Sequence, residues 1–249
     1  MKAFALTAAL LLWCAASGQS QTTITVVNYS NFNPQNPVAA GSTVSGYGAF
    51  TGVATAAWGG TGSMPRVLAN TRVRVNNVEA PLYFVSALQI NFNIPVNTPN
   101  GRHRVEVLLN DNVIATGNVN VWDAFPALAT RNADATRPGI ILNQDNQINL
   151  NVPAARGSVI QLFATGCGPT NPPALDGTPS GAAAPAVFPV KAWVSVVEAV
   201  VQYAGAQPQF PGLCQVNIVI PNQPFITGNV PLYITANGIA SNPVTVRVQ

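Results

Sequence analysis

Residues 71–75, Thr71-Arg72-Val73-Arg74-Val75, alternate polar and apolar at every step, the period-two mark of a strand with one buried face. The pattern recurs through the first half of the chain. Residues 22–27 are dominated by Thr, Val and Ile and predict an opening strand. Extended segments follow at 41–47, 81–85, 89–95, 104–109 and 113–121. They are punctuated by the turn-rich 28–37 stretch, by Asn76-Asn77, by Thr98-Pro99-Asn100-Gly101 and by Asn110-Asp111-Asn112. No convincing 3.6-residue period appears, so about seven short strands in roughly a hundred residues predict a β-sandwich.

The second half repeats the first. Gln89-Ile90-Asn91-Phe92-Asn93-Ile94-Pro95 returns 126 positions later as Gln215-Val216-Asn217-Ile218-Val219-Ile220-Pro221. Val75-Asn76-Asn77-Val78-Glu79-Ala80 returns as Val194-Ser195-Val196-Val197-Glu198-Ala199, and Ala40-Gly41-Ser42-Thr43-Val44 as Ala155-Arg156-Gly157-Ser158-Val159. Asp111 to Thr116 is echoed by Asn237 to Asn242. Four blocks in the same order predict an all-β chain of two tandem immunoglobulin-like β-sandwich domains after a signal peptide. The boundaries are 1–18 for the signal peptide, 19–123 for domain 1, 124–151 for a linker and 152–249 for domain 2. The linker is Pro-, Ala- and Asn-rich with an apolar island at Ile140-Ile141-Leu142, and 169–189 is a Pro/Ala/Gly-rich insertion expected to form an exposed loop.

Composition sharpens this in two ways. The chain of 249 residues is 48% hydrophobic but only 8% charged, against about 25% charged in an average globular domain. Polarity therefore comes from Asn, Gln, Thr and Ser, which suits strands and turns better than helical surfaces. The net charge of +3 comes from eleven scattered basic and eight acidic residues, and no basic stripe of the kind nucleic acid requires is present. No nucleic-acid partner is expected.

Met1-Lys2 followed by the apolar run 3–16 and Ala16-Ser17-Gly18 has the form of a secretory leader. The run is shorter than the roughly 20 residues a spanning helix needs, and Trp13 before Cys14 departs from a lipobox. Soluble export to the periplasm, outer surface or medium is expected, with no transmembrane segment in the mature chain.

Laid end to end, the repeated words resemble an uncharacterised C-terminal module found in exported proteins of Solibacter-type Acidobacteria. They are Val26-Val27-Asn28 with Phe32, Ala39-Ala40-Gly41-Ser42-Thr43-Val44, Ala80-Pro81-Leu82-Tyr83-Phe84-Val85-Ser86 and Gln89-Ile90-Asn91. In the second half they are Pro153 to Val159, Ala164-Thr165-Gly166, Tyr203-Ala204-Gly205, Gln215-Val216-Asn217 and Asn237-Gly238 with Ser241-Asn242. The halves are also loosely similar to the immunoglobulin-like domains of plexins and transcription factors. The resemblance implies an exported, non-enzymatic module and brings no catalytic residue, metal or cofactor with it. The 46–50 loop, Gly46-Tyr47-Gly48-Ala49-Phe50, departs from the family's turn.

Beyond the leader two cysteines remain, Cys167 and Cys214, an even pair in an oxidising compartment. The family pattern has Leu and Tyr at these places, and the joint change to cysteine implies a Cys167–Cys214 disulfide. Two separate buried thiols, or a zinc site, are the alternatives.

Chemistry is sparse. His103, the one histidine, sits between Arg102 and Arg104 with no Gly-x-Ser-x-Gly elbow to serve. Glu79, Glu106, Asp111, Asp123, Asp134, Asp145, Asp176 and Glu198 are dispersed, and Glu79 and Glu198 occupy equivalent repeat positions, as structural residues would. A hydrolase built on His103 or a carboxylate pair ranks below two binding readings. The first is a non-catalytic structural or interaction module with a protein or polysaccharide partner at the cell surface. The second is a carbohydrate-binding protein that uses exposed aromatics, with Trp58 in its Gly-rich loop as the ligand-binding candidate. Trp122 and Trp193, in or beside strands, are expected in a core or between the domains.

Overall fold

The computed structural model describes residues 22–30, 33, 35–131 and 138–249. The expected leader with Lys2 and Cys14, together with Phe32 and Asp134, lies outside the described residues. Among the described residues every regular element is a strand and there is no helix. The principal strands of the N-terminal half are β1 (Thr25–Asn28), β2 (Thr43–Tyr47), β3 (Thr71–Val75), β4 (Leu82–Val85), β5 (Gln89–Asn93), β6 (Gly101–Leu109) and β7 (Asn112–Trp122). Those of the C-terminal half are β8 (Val159–Thr165), β9 (Val190–Val194), β10 (Val197–Ala206), β11 (Cys214–Val219), β12 (Gly228–Ala236) and β13 (Val244–Val248).

In the N-terminal half a five-stranded sheet runs β1-β2-β5-β4 and ends on the short piece Ala56–Ala57. It faces a six-stranded sheet built on β7-β6-β3. Their inner faces bury Val26, Val44, Ile90, Phe92, Val73, Val105 and Val119 in one cluster. A second cluster, sharing no residue with the first, is formed by the C-terminal strands around Ile160, Val216, Ile218, Ile234 and Val246. Pairing order repeats: β2-β5-β4 matches β8-β11-β10, and β3-β6-β7 matches β9-β12-β13.

The repeated words carry repeated bonds. Gln89 Nε2 donates to Asn91 Oδ1 at 2.8 Å and Gln215 Nε2 to Asn217 Oδ1 at 2.9 Å. Ser42 Oγ donates to Ala39 O and Ser158 Oγ to Ala155 O, both at 2.6 Å. In each copy the glycine between, Gly41 or Gly157, has φ near +75° (75° and 77°), which a type II turn demands and a Cβ resists. Its N–H reaches the motif's Ile94 or Ile220 carbonyl at 2.9 Å. Lys191 pairs with Glu198 at 3.2 Å as Arg72 does with Glu79 at 3.6 Å. The strand alternation is as expected, with Val216, Ile218 and Ile220 fully buried.

One substitution between the copies changes the sheet count. In the C-terminal half β10 is continuous, pairing with β9 through Val197–Ala199 and with β11 from Val200 onward, so the two layers join as one ten-stranded sheet. In the N-terminal half Pro81 stands where Val200 stands, and the strand splits into Val78–Glu79 on β3 and Leu82–Val85 on β5. Proline has no N–H for the ladder, so the break falls there.

Several places refine or depart from the sequence expectation. Within 124–151, Ala127–Leu128 and Ile141–Asn143 both pair with β8, so the stretch supplies strands to the C-terminal sheet. The 169–189 insertion is a strap laid onto the N-terminal half. Met64 N donates to Gly177 O at 2.8 Å, Val96 N to Asp176 Oδ1 at 2.7 Å, and Arg66 faces Asp176 at 3.5 Å. Trp122, 44% exposed at the end of β7, lies between the halves as one of the two expected placements, its ring edge-to-face with Phe125 at 5.7 Å, whereas Trp193 lies on an outer face, stacked on its cross-strand neighbour Tyr233 at 5.0 Å. The equivalence of Asp111-Asn112 with Asn237-Gly238 also shifts by one residue, because the left-handed turn pair in the first half is Asn110-Asp111.

Candidate functional site

The two sheets of the N-terminal half divide the polar chemistry unequally. Arg72, Arg74, Glu79 and Asp111 form a charge network on the outside of the six-stranded sheet, with Arg104 and Glu106 paired nearby at 2.9 Å. By contrast β1, β2, β4, β5 and Ala56–Ala57 contain no charged residue. Register places Val27, Ser45 and Asn91 in one row across the outer face, Tyr47 and Gln89 in the next, and Tyr29, Thr43 and Asn93 on the other side.

An outer row ought to be open, yet Val27, Ser45 and Asn91 are buried, Ser45 at 0% exposure. Register continues that row onto the half-buried Phe84, opposite Asn91, and three tyrosines stand on the same face. Tyr29, Tyr47 and Tyr83 are 39%, 37% and 36% exposed. Burial raises the Tyr29 phenol above its ordinary value of 10.0, and the Tyr83 and Tyr47 phenols on the same face push it further the same way. Tyr83 reaches this face because β4 carries a bulge between Leu82 and Phe84, with one extra residue opposite β5. The bulge recurs in β10 between Val201 and Tyr203, but there the extra residue is Gln202.

Trp58 extends the group. It follows Ala56–Ala57 at the sheet edge, its N–H donates to Tyr83 O at 2.9 Å, and its ring meets that of Tyr83 edge-to-face at 5.8 Å. The indole Nε1 donates to Thr61 O at 3.1 Å, so the N–H is satisfied inside the chain and the ring surface is what Trp58 offers. None of the three tyrosine hydroxyls has a hydrogen-bond partner among the described residues. Three buried side-chain polar atoms also lack one, namely Asn28 Nδ2, Ser30 Oγ and Ser45 Oγ, all on β1, on β2 or in the turn after β1. Gly212 of the C-terminal half closes one end of the face, where a Cβ would come within 2.7 Å of both Asn93 Nδ2 and Thr43 Oγ1.

The chain as a whole matches no family model and no curated protein. Among solved structures it is similar to a Bacteroides ovatus surface protein, SGBP-B of a mixed-linkage glucan utilization locus in complex with a mixed-linkage heptasaccharide. That match has 11% identity and a TM-score of 0.37 over 86% of this chain and 44% of the other. The full extracellular region of plexin A4 gives 12% identity and 0.31 over 95% of this chain and 19% of the other. SGBP-B from a xyloglucan utilization locus of Bacteroides uniformis gives 11% and 0.29 over 92% and 48%. The chain thus spans less than half the length of each, and at these TM-scores the likenesses carry no argument about function. What the structure itself shows is an all-β architecture of several packed sheets.

The remaining sequence candidates fall elsewhere. Cys167 and Cys214 are joined, with Cα atoms 6.2 Å apart, and the bond ties the start of β11 to the turn after β8. It borders a cleft of about 340 Å³ between the two halves, lined also by Ser42, Asn97, Trp122 and Asp123. His103 opens β6 and hydrogen-bonds Pro99 O through Nε2 at 2.7 Å. Glu79 and Glu198 lie in ion pairs on outer faces, and Asp176 holds the strap. Among the described residues no group of three or more His, Cys, Asp or Glu gathers as a metal site would. Sequence reasoning singled out Trp58 and not Tyr29, Tyr47 and Tyr83, which the structure places on the same face. The signal available was that three of the chain's five tyrosines fall in one uncharged set of strands.

Proposed function

We propose that this chain is an exported, non-catalytic interaction module of two tandem immunoglobulin-like domains, acting in adhesion or assembly at the cell envelope or in the extracellular matrix. The observation that carries the reading is the uncharged aromatic face on the five-stranded sheet. Four aromatic side chains are held together there, partly exposed, the kind of contiguous apolar surface that marks an interaction site. Three features support the rest: two cores that share no residue, a pairing order that recurs in both halves, and a disulfide that suits an oxidising compartment. The strap and the Thr165 Oγ1 to Asn28 Oδ1 bond at 3.2 Å hold the halves together, so the face is presented from a stiff support.

The test is retention on the native surface. Labelled full-length protein is applied to washed envelope and matrix from the source cells. Wild type should be retained and a Tyr47→Ser/Tyr83→Ser variant released, with no turnover of surface polymers detected. Equal retention of the two proteins would remove the face from the account, and release of soluble sugar or peptide products would remove the non-catalytic reading.

A further inference from the structure

We propose that the outer face of the five-stranded sheet binds a neutral polysaccharide chain, lying across the strands from Trp58 over Tyr83 to Tyr29 and Tyr47. The inference rests on the reading above and names the partner's chemistry. Three properties of the face select it.

The first is the absence of charge. An anionic polymer or a phosphorylated partner needs Arg or Lys at the contact. The strands of this face have none, whereas the opposite sheet of the same half carries Arg72, Arg74 and Arg104. The second is the pairing of ring surface with free hydroxyl groups. A pyranose offers an apolar C–H face to an aromatic ring and a rim of hydroxyls around it. Tyr29, Tyr47 and Tyr83 supply ring and hydroxyl from one side chain, and Trp58, its N–H already used on Thr61, supplies ring alone. A protein partner with an apolar core would leave these hydroxyls stripped of water and unpaired, which is unfavourable. The third is extent. Five strands about 4.8 Å apart make the face about 19 Å across, longer than a single sugar ring, with an aromatic just after β1, on β2, on β4 and beside the edge strand. Gln89, part-exposed in the Tyr47 row and bonded through Nε2 to Asn91 Oδ1 at 2.8 Å, lines the floor and offers its amide to a sugar hydroxyl or a bridging water.

Isothermal titration and affinity electrophoresis of the full chain decide the matter. The probes are soluble neutral β-glucan, xylan and mannan, with alginate and polygalacturonate as anionic counterparts, and an oligosaccharide ladder of whichever polymer binds. At least one neutral polymer should bind and neither anionic one, with affinity rising at least tenfold from the disaccharide to the tetrasaccharide. Tyr47→Ala and Tyr83→Ala should each weaken binding at least tenfold. Tyr47→Phe and Tyr83→Phe, which keep the ring and the fold, should weaken it by a smaller factor. Trp193→Ala, which removes the stacked pair on the other half, should leave it unchanged. Failure of every neutral polymer to bind, equal binding of the anionic ones, or binding indifferent to the tyrosine variants overturns the inference. If no polymer binds but retention on native envelope still depends on Tyr47 and Tyr83, the inference falls and the broader function stands. If neither assay responds to those tyrosines, both fall.

Discussion

Replacing Cys167 and Cys214 together by alanine isolates what the covalent link contributes. The bond spans a sequence separation of 47, and in the chain-entropy model closing a loop of that length removes unfolded-state freedom worth about 4 kcal/mol. The folded state has little to lose, because Cys214 opens a strand already paired on both sides, with Ala164 of β8 and Ala206 of β10. Both cysteines are buried, so alanine adds a small packing loss of about 1 kcal/mol. The expected cost is therefore about 3–5 kcal/mol, or a drop of roughly 8–15 °C in Tm for a chain of this size. Both cysteines belong to the C-terminal core and none to the N-terminal one, so the loss should fall on the transition of the C-terminal half. Urea unfolding followed by tryptophan fluorescence checks this, with Trp193 as the only tryptophan in one variant and Trp58 in another. Reduction of the wild type should reproduce the C-terminal shift. A loss below about 1 kcal/mol, or equal shifts at both probes, would show that the reasoning from loop closure is wrong.

Other outcomes follow from single contacts. Asp176→Ala removes the acceptor of the Val96 N–H and the partner of Arg66, and should cost about 1–3 kcal/mol and speed proteolysis within 170–185. Asp176→Asn keeps an acceptor oxygen and should cost less, so equal cleavage rates for the two variants would contradict this. Gly166→Ala places a Cβ against the Phe125 carbonyl at a φ of +77° and should cost more than the roughly 1 kcal/mol typical of a strained glycine site; chemical denaturation measures it, and a neutral result would count against the packing described. Tyr29 holds its proton longer in the folded state, so its contribution is complete below pH 10.0, the ordinary value, and is lost as pH rises through the raised folded pKa. An alkaline absorbance titration should show a late-ionising step for Tyr29, and Tyr29→Phe should abolish it.

Much of this molecule was legible in one dimension, because strand pattern and turn chemistry are local. Alternation marked the strands, and Asn76-Asn77 marked a turn whose residues do adopt positive φ. The repeated words foretold repeated bonds, since Gln89 and Asn91 sit two apart on one face in any strand and so do Gln215 and Asn217. The cysteine pair, expected from the family resemblance, is bonded. What the sequence could not display was anything depending on where strands lie beside one another. Pro81 and Val200 are single letters until the ladder shows that one breaks a sheet and the other lets it run on. The Pro/Ala/Gly-rich insertion looked like free loop because its anchors, Met64, Arg66 and Val96, are about 80 to 115 positions away. Tyr29, Tyr47 and Tyr83 were separated by dozens of residues and became one face only when register aligned β1, β2 and β5 and a bulge turned Tyr83 outward. Local physics wrote the strands; pairing between distant strands decided what the surface offers to a partner.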